Sequence, residues 1–143
     1  MNARHATVLS LLALLASSAA AQLPSQTHGE MVGTVDHRSA WIWTRASGTG
    51  LVSVRYATNA ALLGALETPP VLATSAGDFT AKIPLTGLQS ATRYWYAVVL
   101  ADASGQGIRR QGFTSTFTTA PDPSTRADVV LGFSGDCRDA ASY

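Results

Sequence analysis

Apolar and polar residues alternate with a period of two in five segments between residues 30 and 119. This spacing predicts β-strands with one buried and one solvent-exposed face. Segments rich in glycine, serine and proline (SGTG, TPP, SAGD, LTGLQSA and ASGQG) separate them and predict turns. Several short strands joined by turns favour an all-β antiparallel sandwich. The expected core-facing residues are Trp41 and Trp43; Val52, Val54 and Tyr56; Phe79, Ala81, Ile83 and Leu85; Tyr94, Tyr96, Val98 and Leu100; Phe113 and Phe117.

The segment LTGLQSATRYWY makes the fold prediction more specific. In immunoglobulin-like sandwiches, a tyrosine near the start of one strand directs its hydroxyl to backbone a few residues upstream. Leu88, Thr92 and Tyr94 occupy the positions of the L-x-P-x-T-x-Y pattern of fibronectin type III modules, with Ser90 in place of proline. Together with a tryptophan on the second strand, Trp43, this pattern resembles a fibronectin type III module.

Proline cannot donate a hydrogen bond to a β-ladder. We therefore expect Pro84, within the segment DFTAKIPL, to lie near a strand end or to face a sheet edge.

Residues 1–21 have the form of a Sec signal peptide. Arg4 lies in a short n-region, an apolar stretch follows, and an A-x-A site precedes Gln22. The alternative is a membrane anchor, but the apolar run is shorter than the ~20 residues that a spanning helix needs. The pattern predicts export to the periplasm or the medium, with no membrane span left after cleavage.

Charge and cysteine content limit the classes of function. The formal net charge is +1 at pH 7, and Lys82 is the only lysine. The absence of a basic stripe argues against a nucleic-acid partner. Cys137 is the only cysteine, so an intrachain disulfide is excluded. A lone thiol in an exported protein can be a metal ligand, an intermolecular partner or a small buried hydrophobic residue.

The last part of the chain differs from the alternating segments. Prolines, serine, threonine and charged residues in TAPDPSTRAD predict a linker. The apolar run VVLGF then favours a strand buried on both faces, as in a parallel or mixed sheet. The predicted organisation is a signal peptide at 1–21, a fibronectin-like domain at 22–119, a linker at 120–127, and at 128–143 the beginning of a truncated second domain.

Several short motifs resemble the alkaline phosphatase D (PhoD-like) family. They are the His28-Gly29 dipeptide, the strand ending in Trp43-Thr44-Arg45, the segment LTGLQSATRYWYAV, the exit FTTAP and the junction ADVVLGFSGDCRD. In that family a fibronectin-like module precedes a metallophosphoesterase domain. The resemblance implies that the full-length protein hydrolyses phosphate mono- or diesters and that the module's partner is its own catalytic domain.

The resemblance also implies a dinuclear centre of iron and calcium in the full-length protein. The family's cysteine in this loop binds iron, and that role falls on Cys137. Related purple acid phosphatases have a Gly-Asp here, which Asp136 matches, and Asp139 is a third choice. Cys137 as a buried thiol and the aspartates as turn formers remain open alternatives.

One or two ligands cannot hold a dinuclear centre, and the family's downstream motifs do not occur in this sequence. We expect the chain as given to be inactive and to bind no cofactor by itself. His28 and His37 are expected to be surface residues rather than ligands. The alternative function is a free-standing secreted fibronectin-like binding or adhesion module.

Overall fold

The computed structural model describes residues 23–110, 112, 114–128, 130 and 132, and of Arg110 only the backbone. The predicted signal peptide, Phe113, Asp136, Cys137 and Asp139 lie outside the described residues. The strands are β1 (Gln26–Val35), β2 (Ser39–Ala46), β3 (Gly50–Ala57), β4 (Leu66–Glu67), β5 (Val71–Ala73), β6 (Thr80–Thr86), β7 (Arg93–Ala101), β8 (Arg109–Arg110) and β9 (Ser115–Thr118), with a 3₁₀ turn at Ser75–Gly77.

The strands form two antiparallel sheets that enclose one core. The first sheet has the order β1-β2-β6, and the second has the order β4-β3-β7-β8, with β5 also pairing with β3 and β9 with β7. Ile42 and Ile83 from the first sheet and Val54 and Val98 from the second are fully buried in the same cluster. The predicted all-β, fibronectin type III-like antiparallel sandwich is therefore confirmed.

Strand β6 follows the predicted alternation along its length. Ala81, Ile83 and Leu85 are buried, whereas Lys82 and Pro84 between them are exposed. Because β6 pairs only with β2, it is an edge strand of the first sheet. An edge strand tolerates a residue without a backbone donor, and the prediction for Pro84 is confirmed.

The predicted tyrosine corner is present at the start of β7. The Tyr94 hydroxyl accepts a hydrogen bond of 2.9 Å from the backbone N–H of Gln89. The Tyr94 ring also stacks on Phe117 with a centroid distance of 5.6 Å. This contact fixes the entry into β7 against β9.

Strand β7 is buried on both faces after its first three residues, whereas the alternation predicted one buried face. Ala97, Val99 and Ala101 point away from the core yet are at most 9% exposed. The strand lies in the interior of the second sheet, with β3 on one side and β8 and β9 on the other, and Arg55 of β3 is paired with Ala97.

Strand β2 presents to the core the face opposite to the predicted one. Trp41 is 45% exposed, and Trp43 is half-buried. The register explains this, because Ile42 pairs with Ile83 while Trp43 pairs with Lys82. The prediction that the two tryptophans belong to the core is wrong. The buried face of β2 consists of Ala40, Ile42, Thr44 and Ala46.

Candidate functional site

The metal ligands proposed from the sequence, Cys137 and Asp136, stay a prediction, because both lie outside the described residues. Within the part of the chain that the structure describes, no group of three or more His, Cys, Asp or Glu side chains could hold a metal ion. His28 is exposed on β1, and His37 is half-buried in the turn that follows β1. Over the same residues, the structure contains no helix that is long and apolar enough to cross a membrane.

Two of the sequence landmarks, His28-Gly29 and Trp43-Thr44-Arg45, contact each other. The hydroxyl of the buried Thr44 donates a hydrogen bond of 2.9 Å to the carbonyl oxygen of Gly29. Gly29 has a φ of +66°, a conformation that glycine adopts without steric cost, and it lies where the β1–β2 register shifts between Gln26 and Glu30. Thr44 therefore holds an irregular segment of β1 in place.

Arg45 fixes the turn that leads into β6. Its Nη2 lies 2.7 Å from Oδ1 of Asp78, and its Nε donates to Oδ2 of the same carboxylate at 3.1 Å. Asp78 and Phe79 both have positive φ values, 51° and 56°. The hydrogen bond from Arg45 lowers the pKa of Asp78. Arg45, the last residue of the Trp-Thr-Arg motif, thus stabilises a strained turn through its ion pair with Asp78.

A polar cluster closes the open side of the sandwich between β1 and β9. The Ser115 hydroxyl donates to Oε1 of Glu30 at 2.5 Å, and the Gln26 amide donates to Oε2 at 2.7 Å. Burial and, secondly, the Glu30 carboxylate raise the pKa of the nearby Tyr96 to about 12. These contacts join the edge strand of one sheet to the other sheet.

The outer surface of the first sheet carries a shallow apolar groove with a volume of about 480 Å³. We call this surface the outer tryptophan face. Its residues form two rows across β1, β2 and β6, and Lys82 is the one charged residue among them. The face consists of Met31, Gly33, Trp41, Trp43, Lys82 and Pro84.

Sequence reasoning missed this face because both faces of β2 are rich in apolar residues. One signal was available. Trp41, Trp43 and Arg45 are two positions apart and so lie on the same face of a strand, and a basic residue indicates the solvent side. The partners Met31 and Lys82 could not be assigned without the strand register.

Comparison with known proteins decides the family. The chain matches the family model described as PhoD-like phosphatase, N-terminal domain, over residues 13–121. It belongs to this family.

One solved structure agrees with the assignment at the level of the fold, and a second is reported for comparison. The structure described as that of PhoD matches with a TM-score of 0.57 and 14% sequence identity, covering 69% of this chain. The fn3 domain of human contactin 1 matches with a TM-score of 0.48 and 19% identity, covering 87% of this chain and 100% of that domain. No match to a curated protein was found.

This PhoD-like N-terminal domain covers 20% of the PhoD chain to which it is similar. The landmarks that suggested the family from sequence now have structural roles. Gly29, Thr44 and Arg45 shape the irregular ends of the first sheet, and Tyr94 fixes the start of β7.

Proposed function

We propose that this chain is the exported N-terminal module of a metal-dependent phosphatase that hydrolyses phosphate mono- or diesters. The module packs beside the catalytic domain and helps to shape its entrance. The match to the PhoD-like N-terminal domain over residues 13–121 carries the proposal. The contact between the His-Gly and Trp-Thr-Arg landmarks supports it, because these are two of the motifs that carry the resemblance.

In this proposal, Cys137 is the first choice of metal ligand in this chain, and Asp136 is the second choice. A thiolate favours iron over calcium, whereas a carboxylate suits either ion. The remaining ligands belong to the catalytic domain of the full-length protein, where two ions would polarise the phosphoryl group and generate a hydroxide nucleophile.

The test is expression from the complete coding sequence, followed by metal analysis and hydrolysis assays on p-nitrophenyl phosphate and bis-p-nitrophenyl phosphate. We expect bound iron and calcium and turnover of at least one ester. Cys137→Ala should lose iron and activity, whereas Cys137→Asp should retain part of both. A complete protein without downstream ligand motifs, or without turnover, would refute the proposal and leave the secreted binding module as the alternative.

Export has a separate test. N-terminal sequencing of the protein recovered from periplasm or medium should give Gln22 as the first residue. A mature protein that keeps residues 1–21 would contradict the signal-peptide prediction.

A further inference from the structure

The outer tryptophan face differs from an ordinary solvated sheet surface. Met31 is 60% exposed and Trp41 45% exposed, and they flank Gly33, which has no side chain to fill the space between them. Within the described residues, neither tryptophan ring has an aromatic or cation–π partner, and Lys82 forms no salt bridge. An exposed methionine and an exposed tryptophan on the same sheet surface leave apolar area that a partner could bury.

The path of the chain out of the module indicates what covers this face. The backbone N–H of Ala120 donates a 3.0 Å hydrogen bond to the carbonyl oxygen of Asp36. Asp36 begins the turn that joins β1 to β2, so the chain leaves beside the end of the face that carries Gly33 and Trp41.

The first linker residues remain close to the same turn. The pKa of Asp122 is lowered by the hydrogen bond from Ser124 and, more weakly, by the nearby His37 and Arg38 side chains. Residues 121–128 can span at most about 29 Å when fully extended. Whatever follows residue 128 is therefore tethered within reach of the outer tryptophan face.

We propose that the outer tryptophan face is the docking surface for the part of the same polypeptide that follows residue 128 in the complete protein. This inference rests on the proposed function and specifies which surface of the module meets the catalytic domain. A tether this short keeps its partner at an effective concentration in the millimolar range, about 10⁻³ M. A modest apolar contact around Trp41 is then enough for stable docking of the tethered segment. A second copy or a free ligand would need a millimolar concentration in solution to occupy the face to the same extent.

The experiment measures acetylation of Lys82 in the complete protein by peptide mass spectrometry. We expect Lys82 to react about tenfold more slowly in the wild type than in Trp41→Ser, which corresponds to about 1.4 kcal/mol of docking free energy. Met31→Ser is a second variant on the same face and should also raise the rate. Leu72→Ser is the matched control, because Leu72 is similarly exposed, at 53%, but lies on the second sheet; its rate should equal that of the wild type.

Equal Lys82 rates in the wild type and both face variants would overturn the inference. Protection that disappears on dilution, together with a concentration-dependent mass in sedimentation, would also overturn it and assign the face to a second copy. Ester hydrolysis is measured on the same preparations. Activity with an unprotected Lys82 refutes the docking surface alone, whereas protection without activity refutes the phosphatase proposal alone.

Discussion

At the scale of single residues, hydroxyl groups that bond to backbone hold the irregular parts of this sandwich. Tyr94 accepts from Gln89 N–H, and Thr44 donates to the Gly29 carbonyl oxygen. The Thr119 hydroxyl donates to the Gln89 carbonyl oxygen at 2.6 Å and accepts from Thr92 N–H at 2.9 Å. Each bond satisfies a backbone group that the β-ladders leave unpaired.

The first prediction concerns Tyr94. In Tyr94→Phe the ring still stacks on Phe117, but the part-buried N–H of Gln89 loses its acceptor. We expect the free energy of unfolding to fall by about 1 to 3 kcal/mol, as measured by urea denaturation.

Tyr56→Phe is the control for that measurement. Tyr56 lies 6.1 Å from Tyr94 between ring centroids, and its hydroxyl has no hydrogen bond among the described residues. This variant should have nearly wild-type stability. Equal losses in the two variants would contradict a specific role for the Tyr94 hydroxyl.

At the scale of secondary-structure elements, the sequence predicted the orientation of some strands and not of others. In β6, the charged Lys82 lies between Ala81 and Ile83, so only one face could be buried. In β2, one face carries isoleucine and alanine and the other carries two tryptophans, so both faces are apolar. The register with β6 determines which of the two faces is buried. Periodicity within one strand carries no information about register.

Contacts between distant strands also could not be predicted from the sequence. Glu30 and Ser115 are 85 positions apart, and no local pattern relates them. The assignment of Cys137 as a metal ligand remains a prediction from resemblance, because this residue lies outside the described residues.

The second prediction concerns the start of β3. A Cβ atom at Gly50 would lie 2.5 Å from the carbonyl oxygen of Ala101 and 2.6 Å from Cγ of Pro24. Since the oxygen belongs to the backbone of β7, Gly50→Ala should push β3 and β7 apart and cost about 1 to 3 kcal/mol.

Gly48 provides the control within the same turn. A Cβ atom there meets nothing within 4 Å, so Gly48→Ala should change the stability by less than about 0.5 kcal/mol. Thermal unfolding of both variants under identical conditions measures the difference. A Gly50→Ala variant as stable as Gly48→Ala would show that the two strands do not approach this closely.

The third prediction concerns the attachment of β1 to β9. Ser115→Ala removes the hydroxyl that donates to the Glu30 carboxylate, a bond to a charged group worth about 1.5 to 3 kcal/mol. We expect faster amide hydrogen exchange in β1, because this edge strand then has fewer contacts with the second sheet.

The neighbouring exposed Thr116 on β9 supplies the control. Thr116→Ala should leave exchange in β1 unchanged, since this side chain points to solvent. If both variants exchange like the wild type, β1 is held by its ladder with β2 and not by the Glu30 contact.

At the scale of the whole molecule, the two sheets are joined into one unit by contacts at the ends and sides of the sandwich. Ala91 donates to the carbonyl oxygen of Ala120, and Ala120 donates to that of Asp36, each at 3.0 Å. The exit of the chain is therefore hydrogen-bonded to the turn between β1 and β2 and to the connection between β6 and β7. In the proposed full-length enzyme, this attachment would fix the direction in which the linker leaves the module and thus the approach of the catalytic domain.

The last prediction follows from the charges of the whole molecule. Asp36, Asp78, Asp102 and Asp122 all have pKa values below the ordinary 3.8, mainly because backbone N–H, hydroxyl or guanidinium groups donate to their carboxylates. The folded protein then binds fewer protons than the unfolded chain near these pKa values, so stability rises with pH in that range. The stabilisation is complete above the unfolded value and is lost as the pH falls below 3.8 through the lower folded values. We expect urea midpoints to be level between pH 7 and about 5, where aspartates are ionised in both states, and to drop toward pH 3.

Asp36→Asn should show a shallower drop, because its amide oxygen can still accept from Arg38 N–H but does not titrate. Midpoints that stay constant down to pH 3, or an equally steep drop in Asp36→Asn, would show that these turn aspartates do not couple protonation to folding.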